Sequence, residues 1–506
     1  MKPESRGPQA KEGISADEEN DDDYDNPEKP FSLTNPLFPA ADFYRAQPVY
    51  DRRIHVLGLG SMGRFVAHSL RGIPDPPPVT LIVANQKIMH DWLESSQRLT
   101  LITDGASEKR EGFDAEVAYP RPRFHGKEVP VQMDSPPRTG IESEFVDGQG
   151  STKQVYEGES TEPISSLIVC TKTPFVLQFL SAVKHRLNKE SVVLFLQNGM
   201  GTVDEVNREI FPDPETRPRY MIGVNTHGVT TSPGDSYTAI HAGFGTLALG
   251  LLPHEREGGS APYSPTTKFN PASSVEPKHP ANPHPDTPSP QSSTFEWLPS
   301  DRYLLRTLLR TPSLCAAAFS PPDLLQHQLE RLAVSSTIQP LSVMLDARNG
   351  GILYNFHLTR VMRLLLAETS AVIRSLPELA YIPNVEQRFD AGRLETLVVH
   401  RAYTNRDNIS SMLADVRSGE VTEVDYLNGW IVKKGEQMGM RCAMNYMMLH
   451  LVKGKSRMVQ LELEEGVPFV GRRKGEEDIG IREGMTAGDE GEGKGKGAGG
   501  RKEETK

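Results

Sequence analysis

"IHVLGLGSMGRFVAHSL", residues 54–70, joins a short aliphatic strand to a helix through a glycine-rich turn. Gly58, Gly60 and Gly63 form a G-x-G-x-x-G pattern, with Leu59, Ser61 and Met62 between them. The first glycine permits a tight turn, the second lets a pyrophosphate approach the backbone, and the third allows the helix to pack closely on the strand. Phosphates then lie on the helix N-terminus, where unbonded N–H groups and the helix dipole favour an anion. A glycine turn alone says little. With a strand before it and a helix after it, the stretch predicts a dinucleotide-binding unit in a parallel sheet.

The flanking sequence extends that unit. Across residues 51–250, short aliphatic runs ("VTLIVAN", "SSLIVCTK", "SVVLFLQNG", "RYMIGVNTHG", "TLALGLL") alternate with helical patterns, as in a parallel sheet covered on both faces. Residues 300–460 carry long segments of helical period, such as "LTRVMRLLLAETSAVIRSL", and predict a helical domain. The expected architecture is α/β: an N-terminal Rossmann-type parallel-sheet domain over 51–250, then an all-α C-terminal domain over 300–460, with a cleft between them. Three segments read as disordered additions. They are the acidic residues 1–50, an insertion over 251–299 that contains ten prolines between 253 and 292, and a charged, Gly-rich tail over 461–506. The polar stretch 135–162 reads as a surface loop between strands.

Composition narrows the function classes. The chain has 506 residues, 37 % of them hydrophobic and 24 % charged, with a formal net charge of -11. That suits a soluble globular protein. No basic stripe stands out, so no nucleic acid is expected as a partner. No apolar run approaches the roughly 18–20 residues of a membrane span, so no membrane is expected either. Cys170, Cys315 and Cys442 lie far apart and form no CxxC pair, which predicts no metal site and a reducing compartment. The acidic "SADEENDDDYDN" differs from an import or secretory peptide. The expected location is the cytoplasm, with a mitochondrial one left open.

Strand ends at the ligand-binding edge of such a sheet supply further candidates. "VTLIVANQK" ends on Asn85, with Lys87 two residues on, about 22 residues beyond Gly63, where an NAD site usually carries an acidic residue. The missing carboxylate and nearby cation favour NADP as the cofactor. "LIVCTKT" offers Lys172 and "LFLQNGMGTVDEV" offers Asn198. In the helical block, "DNISSMLADVRSGEVTEVDYLNGW" (407–430) is unusually polar. Ser411 and Asp415 lie one turn apart on one helix face, and Glu423 opens the next helix. Asn408 and Glu423 suit a helix cap and a first-turn acid equally well. In "QLERLAVSSTIQPLS" (328–342), Val334, Ile338, Leu341 and, just beyond, Leu345 form an apolar stripe. Arg331, Ser335 and Gln339 stack on another face.

Together "GLGSMG", "CTKT", "LQNGMGTVDEV", "GVNTHGV…PGDSYTAIHAGFG" and "NISSMLADVRSGEVTEVDYLNG" resemble the ketopantoate reductase (2-dehydropantoate 2-reductase) family, over about 53–250 and 300–455. The resemblance implies NADPH-dependent reduction of ketopantoate to pantoate, on the way to pantothenate and coenzyme A. It implies cofactor contacts from Gly58, Gly60 and Gly63, and from Lys172 and Asn198, which also face substrate. Ser411 matches a substrate-binding serine, Asn408 falls in the same turn, and Glu423 matches an active-site carboxylate. The expected partner is a small-molecule 2-oxo acid. A homodimer, and protein partners for the polar segments, stay open.

The family's general acid is a lysine in a pattern resembling K-L-x-x-N-x-x-x-N-P-L-T. Here the aligned stretch is "RLAVSSTIQPLS", so the lysine position holds Arg331 and the two asparagines become Ser335 and Gln339. Arginine binds and polarises a carbonyl but is a poor proton donor. Three readings follow: a ketopantoate reductase in which Arg331 stabilises the oxyanion, a reductase of another 2-oxo acid, or a non-catalytic relative with a regulatory or scaffolding role.

Overall fold

The computed structural model describes residues 51–121, 123–124, 127–128, 143–146, 152–156, 158–232, 234–254 and 296–465, together with the pair 31–32. The acidic extension over 1–50, the insertion over 251–299 and the tail over 461–506 fall almost wholly outside the described residues. The tail's first residues, 461–465, instead complete a helix, because "LELEE" continues a run of good helix formers. Within 135–162, residues 143–146 and 152–155 pair as antiparallel strands.

Eight strands form the main sheet: β1 (Ile54–Leu57), β2 (Val79–Val83), β3 (Phe113–Val117), β4 (Ser166–Val169), β5 (Val192–Phe195), β6 (Arg219–Asn225), β7 (Leu247–Leu251) and β8 (Ala316–Ala318). Their spatial order is 8-7-6-5-4-1-2-3. β1, β2, β4 and β5 are buried along their whole length, as strands covered on both faces must be. Pairing is in register, Ile54 with Ser166 and Ser166 with Val192. The residues that follow β1, β4 and β5 therefore emerge side by side at one carboxyl edge. The order reverses between β1 and β4, the switch point where open sheets of this kind bind ligands.

One run departs from the all-parallel expectation. β7 pairs antiparallel with β6, Met221 opposite Leu251 and Asn225 opposite Leu247. Between them the chain makes the hairpin Gly228–Thr231 and Thr238–Gly243 and never crosses back over the sheet. It starts β7 at the edge where β6 ended, so it must run the other way. That hairpin joins Leu99–Thr103 and Ala106–Arg110 in a second, four-stranded sheet packed on α1 (Ser61–Leu70).

The remaining helices of the first domain are α2 (Gln86–Glu94), α3 (Val176–Val183), α4 (Thr202–Glu209) and α5 (Pro299–Leu309). Leu304, Leu305 and Leu308 of α5 share the apolar core of β1 and β2. Residues 299–318 thus sit with the sheet rather than opening the helical block. The second domain is helical: α6 (Pro321–Leu345), α7 (Phe356–Arg374), α8 (Ala391–Thr404), α9 (Ser411–Arg417), α10 (Asn428–Gln437) and α11 (Ala443–Glu465). They bury a single core around Leu332, Ile338, Leu365, Leu413 and Ile431. Among the described residues no helix is long and apolar enough to cross a membrane.

α6 crosses this core and contains Pro340. A proline at that position cannot donate to the Ser336 carbonyl, a defect that costs about 3 kcal/mol when uncompensated. The buried Asn428 side chain repairs it, donating from Nδ2 to Ser336 O at 3.0 Å and to Asn445 Oδ1 at 3.0 Å. Val334, Ile338 and Leu341 are packed as expected, whereas Leu345, at the helix end, is 44 % exposed.

Candidate active site

The glycine loop has the geometry its spacing demanded. Gly58 has φ +96°, and a Cβ there would lie 2.7 Å from Thr171 Cγ2. A Cβ on Gly63 would meet the Gly58 carbonyl oxygen at 2.0 Å. Gly60 is different: a Cβ there would find no protein atom within 4 Å. The loop is closed below and open at its second glycine, which fits a pyrophosphate approaching the backbone. Ser61 and Met62 open α1, whose N-cap Gly60 offers no side chain to the first N–H groups. Leu59 and Met62 pack at the rim of the sheet core. Asn85 caps α2, accepting from Ile88 N at 2.9 Å, and Lys87 is exposed in the first turn of that helix.

At the carboxyl edge, Gln197 Nε2 donates to Val169 O at 2.8 Å and Thr171 O at 3.0 Å, lacing the β4 and β5 loops together. The helical domain docks onto these loops. Gly199, at φ +87°, lies so near Tyr426 O that a Cβ would stand 2.6 Å from it, and Met200 N donates to the same oxygen at 2.9 Å. Glu423, 8 % exposed, accepts from Thr173 N at 3.0 Å and Thr173 Oγ1 at 2.7 Å. The Thr173 hydroxyl also lies 3.0 Å from Asn198 O.

Lys172 forms a second bridge between the domains, with Nζ 2.7 Å from Asp415 Oδ1 and a further bond to Glu420. Burial works against the Lys172 charge, but the hydrogen bonds to Asp415 and Glu420 outweigh it and hold the pKa above its ordinary value. Asp415 is nevertheless pushed up to about 6, by burial first and then, against the pull of Lys172, by neighbouring Glu423 and Glu420. Two carboxylates share one ammonium there with a third, Glu423, nearby, and the buried Asp415 is raised.

Arg331, the first residue of the stripe Arg331, Ser335 and Gln339, reaches this junction. Arg331 Nη2 lies 3.4 Å from Asn198 Oδ1, at the end of β5. Three buried polar atoms on the stripe, Arg331 Nε, Ser335 Oγ and Gln339 Oε1, have no hydrogen-bond partner. Thr171 Oγ1 and Gln197 Oε1, at the sheet edge, are likewise unpartnered. Leaving a buried polar group unpaired costs about 1–3 kcal/mol. Those of Arg331, Thr171 and Gln197 lie where the ends of β4 and β5 meet α6. Burial lowers the Arg331 pKa to about 10, helped by the charge of Arg401 and opposed by Glu423, so its guanidinium stays charged at neutral pH.

The structure also places the polar 407–430 segment. Ser410, not Asn408, caps α9, accepting from Leu413 N at 3.0 Å. Its hydroxyl meets Ser342 Oγ at 2.6 Å, and Ser342 Oγ in turn bonds Gln339 O at 2.7 Å. Ser411 begins α9 and is exposed, whereas Asp415, one turn on, is buried. Asn408 is half-buried, its carbonyl accepting from Asn349 N at 2.9 Å.

Two residues of this cleft were not singled out in the sequence. Thr173 stands inside "CTKT", immediately after Lys172. Arg401 continues the buried Leu394–Val398 stripe of α8 at helical spacing, a cation where an apolar residue is the norm. That mismatch was the available signal. Among the described residues, no group of His, Cys, Asp or Glu is arranged to hold a metal ion.

The pattern of the family described as "Ketopantoate reductase PanE/ApbA" matches residues 54–254, and that of "Ketopantoate reductase PanE/ApbA C terminal" matches residues 323–456. A probable 2-dehydropantoate 2-reductase of Schizosaccharomyces pombe is 26 % identical over 299 residues, spanning 58 % of this chain and 75 % of the relative. A ketoisovalerate reductase of Beauveria bassiana is 23 % identical over 433 residues, spanning 78 % and 80 %. Two solved structures share the fold. One is D-mandelate dehydrogenase with NADH and anilino(oxo)acetate (TM-score 0.52, 15 % identity, 80 % of this chain and 99 % of that one). The other is a PanE/ApbA family ketopantoate reductase of Ralstonia eutropha JMP134 (TM-score 0.50, 17 % identity, 81 % and 99 %).

Proposed function

Because the chain belongs to the ketopantoate reductase PanE/ApbA family, we propose that it reduces the 2-oxo group of ketopantoate to pantoate with NADPH, in pantothenate and coenzyme A synthesis. The observation that carries this reading is Arg331, whose guanidinium reaches Asn198 Oδ1 with its Nε left unpartnered, at the edge that adjoins the glycine loop.

Gly58, Gly60 and Gly63 would hold NADPH, with Asn85 and Lys87 the candidates for its ribose, and the bound cofactor would supply the hydride. Arg331 donates to the 2-oxo oxygen and stabilises the alkoxide that forms there, a positively charged donor already in place where charge develops. A guanidinium that stays charged gives up its proton poorly. The proton therefore comes from Lys172 through water, its ammonium kept charged by Asp415 and Glu420. Glu423 holds the Thr173 backbone and hydroxyl and offsets part of the Arg331 charge. Ser335 and Gln339 line the substrate side, and Ser411 and Asn408 bind the distal hydroxyl.

The length of the match to the Beauveria bassiana ketoisovalerate reductase supports a second reading in which the substrate lacks that hydroxyl. The test is NADPH oxidation by the purified chain with ketopantoate, ketoisovalerate and phenylglyoxylate. Ketopantoate should give the highest kcat/KM. A higher value with ketoisovalerate shifts the assignment to the second reading. Tight NADPH binding without turnover of any 2-oxo acid overturns both in favour of a non-catalytic role.

A further inference from the structure

We propose that Arg401, on α8, is a second substrate anchor and receives the carboxylate of the 2-oxo acid while Arg331 addresses the oxo oxygen. The inference rests on the reductase reading above and adds to it a residue outside the motifs that support that reading.

Arg401 points from the helical domain across to the sheet domain, where its guanidinium donates to the Thr226 carbonyl just past the end of β6. That backbone oxygen is its sole side-chain partner among the described residues, and none of their carboxylates lies within ion-pair distance of it. Arg331 is in the same condition, bonded only to the Asn198 amide oxygen. Elsewhere in the helical domain, the half-buried Arg388 is paired with Glu330. Burying a cation without an anion is costly, and here two reach the ends of the neighbouring strands β5 and β6. Burial depresses the Arg401 pKa, and, on top of burial, its charge further depresses those of Arg331 and His227. Glu423 is the acid that opposes this at Arg331, and it is already committed to Thr173. One carboxylate is missing from the balance, and a 2-oxo acid brings one carboxylate next to one carbonyl oxygen. Two guanidinium groups suit that pair of acceptors.

The experiment compares wild type with Arg401→Gln and Arg401→Lys on the 2-oxo acid and on its uncharged methyl ester. Losing a charge-assisted pair should raise KM for the acid by about 30- to 100-fold in Arg401→Gln. The ester KM and the NADPH KM should change less than about threefold, and kcat should hold within the same factor. The acid-over-ester preference should therefore collapse, and Arg401→Lys should restore part of it. A purely structural role would alter acid and ester alike. An unchanged acid-to-ester ratio overturns the proposal, as does a rise in the NADPH KM in place of the acid KM, which would assign Arg401 to the cofactor. Calorimetric binding of oxamate to the NADPH-loaded protein separates the two failures. Oxamate binding that needs Arg401, in a protein that turns over no 2-oxo acid, keeps the anchor and removes the reductase reading.

Discussion

Replacing Arg331 with lysine should make this enzyme faster. The surroundings of Arg331 take a guanidinium from 12.5 to about 10, through burial and the charge of Arg401. The same burial and the charge of Arg401 would hold a lysine there below its ordinary value of about 10.4. A charged lysine binds the oxo oxygen, and a lowered pKa lets it give up its proton to an alkoxide without difficulty. General acids of this kind contribute about 10²–10⁴ in rate. Against that stands the loss of the planar donor fork beside Asn198. That contact is long, 3.4 Å, so its loss should cost at most about tenfold. The net expectation for Arg331→Lys is a kcat raised about tenfold or more, measured as NADPH oxidation with saturating ketopantoate. The pH profile should gain a basic limb, where the lysine deprotonates below its ordinary pKa, that wild type lacks. A kcat unchanged or lowered, with no new basic limb, would show that residue 331 does not stand over the reacting oxygen.

Asp415, at about 6, should set the acid limb: kcat/KM falls as pH drops through about 6 and Lys172 loses its partner. Folding raises this pKa, so the stability Asp415 contributes is fully present below its ordinary value of 3.8 and lost as pH rises through about 6. Asp415→Asn should then raise Tm at pH 8 while lowering kcat/KM, and a lowered Tm would refute the sign. Glu423→Gln keeps an acceptor for Thr173 N but removes the charge; kcat/KM should fall about tenfold with Tm nearly unchanged, by activity assay and calorimetry. Gly60→Ala meets open space, so it should fold normally while raising the NADPH Kd about tenfold or more; Gly63→Ala, 2.0 Å from Gly58 O, should lower Tm. Asn428→Leu strands the Ser336 carbonyl in the core and should cost about 1–3 kcal/mol in denaturant unfolding, with NADPH affinity kept.

Much of this architecture was legible because its signals are local. A strand buried on both faces must be continuously apolar, and β1, β2, β4 and β5 are. The direction of β7 was not legible. "TLALGLL" has the same composition as its parallel neighbours, and only the hairpin before it, a matter of chain path, decides which way it runs. The second sheet escaped for a related reason: Ala106–Arg110 is exposed along nearly its whole length, so it carries no apolar run to read. The α6 stripe was legible as two faces. That its polar face would be buried yet unpaired depends on what the other domain brings, and no periodicity encodes that.

The cleft's charges explain why an arginine can stand where the family pattern has lysine. Its cations fall into two groups, distinguished by their partners. Lys172 is held by Asp415 and Glu420, so its charge is settled before any ligand arrives. Arg331 and Arg401 have no carboxylate partner among the described residues and face each other's repulsion. A lysine at 331 could relieve that repulsion by releasing a proton, whereas an arginine stays charged. On the proposed reading the site takes up an anion there, and binding is strengthened at the expense of proton transfer. Such a division predicts tight binding and slow chemistry: a low KM for the 2-oxo acid, and a kcat limited by the proton that Lys172 must deliver. A solvent deuterium isotope effect on kcat that is large in wild type and smaller in Arg331→Lys would separate this arrangement from one in which Arg331 is the proton donor. In that second case, the effect would be the same in both proteins.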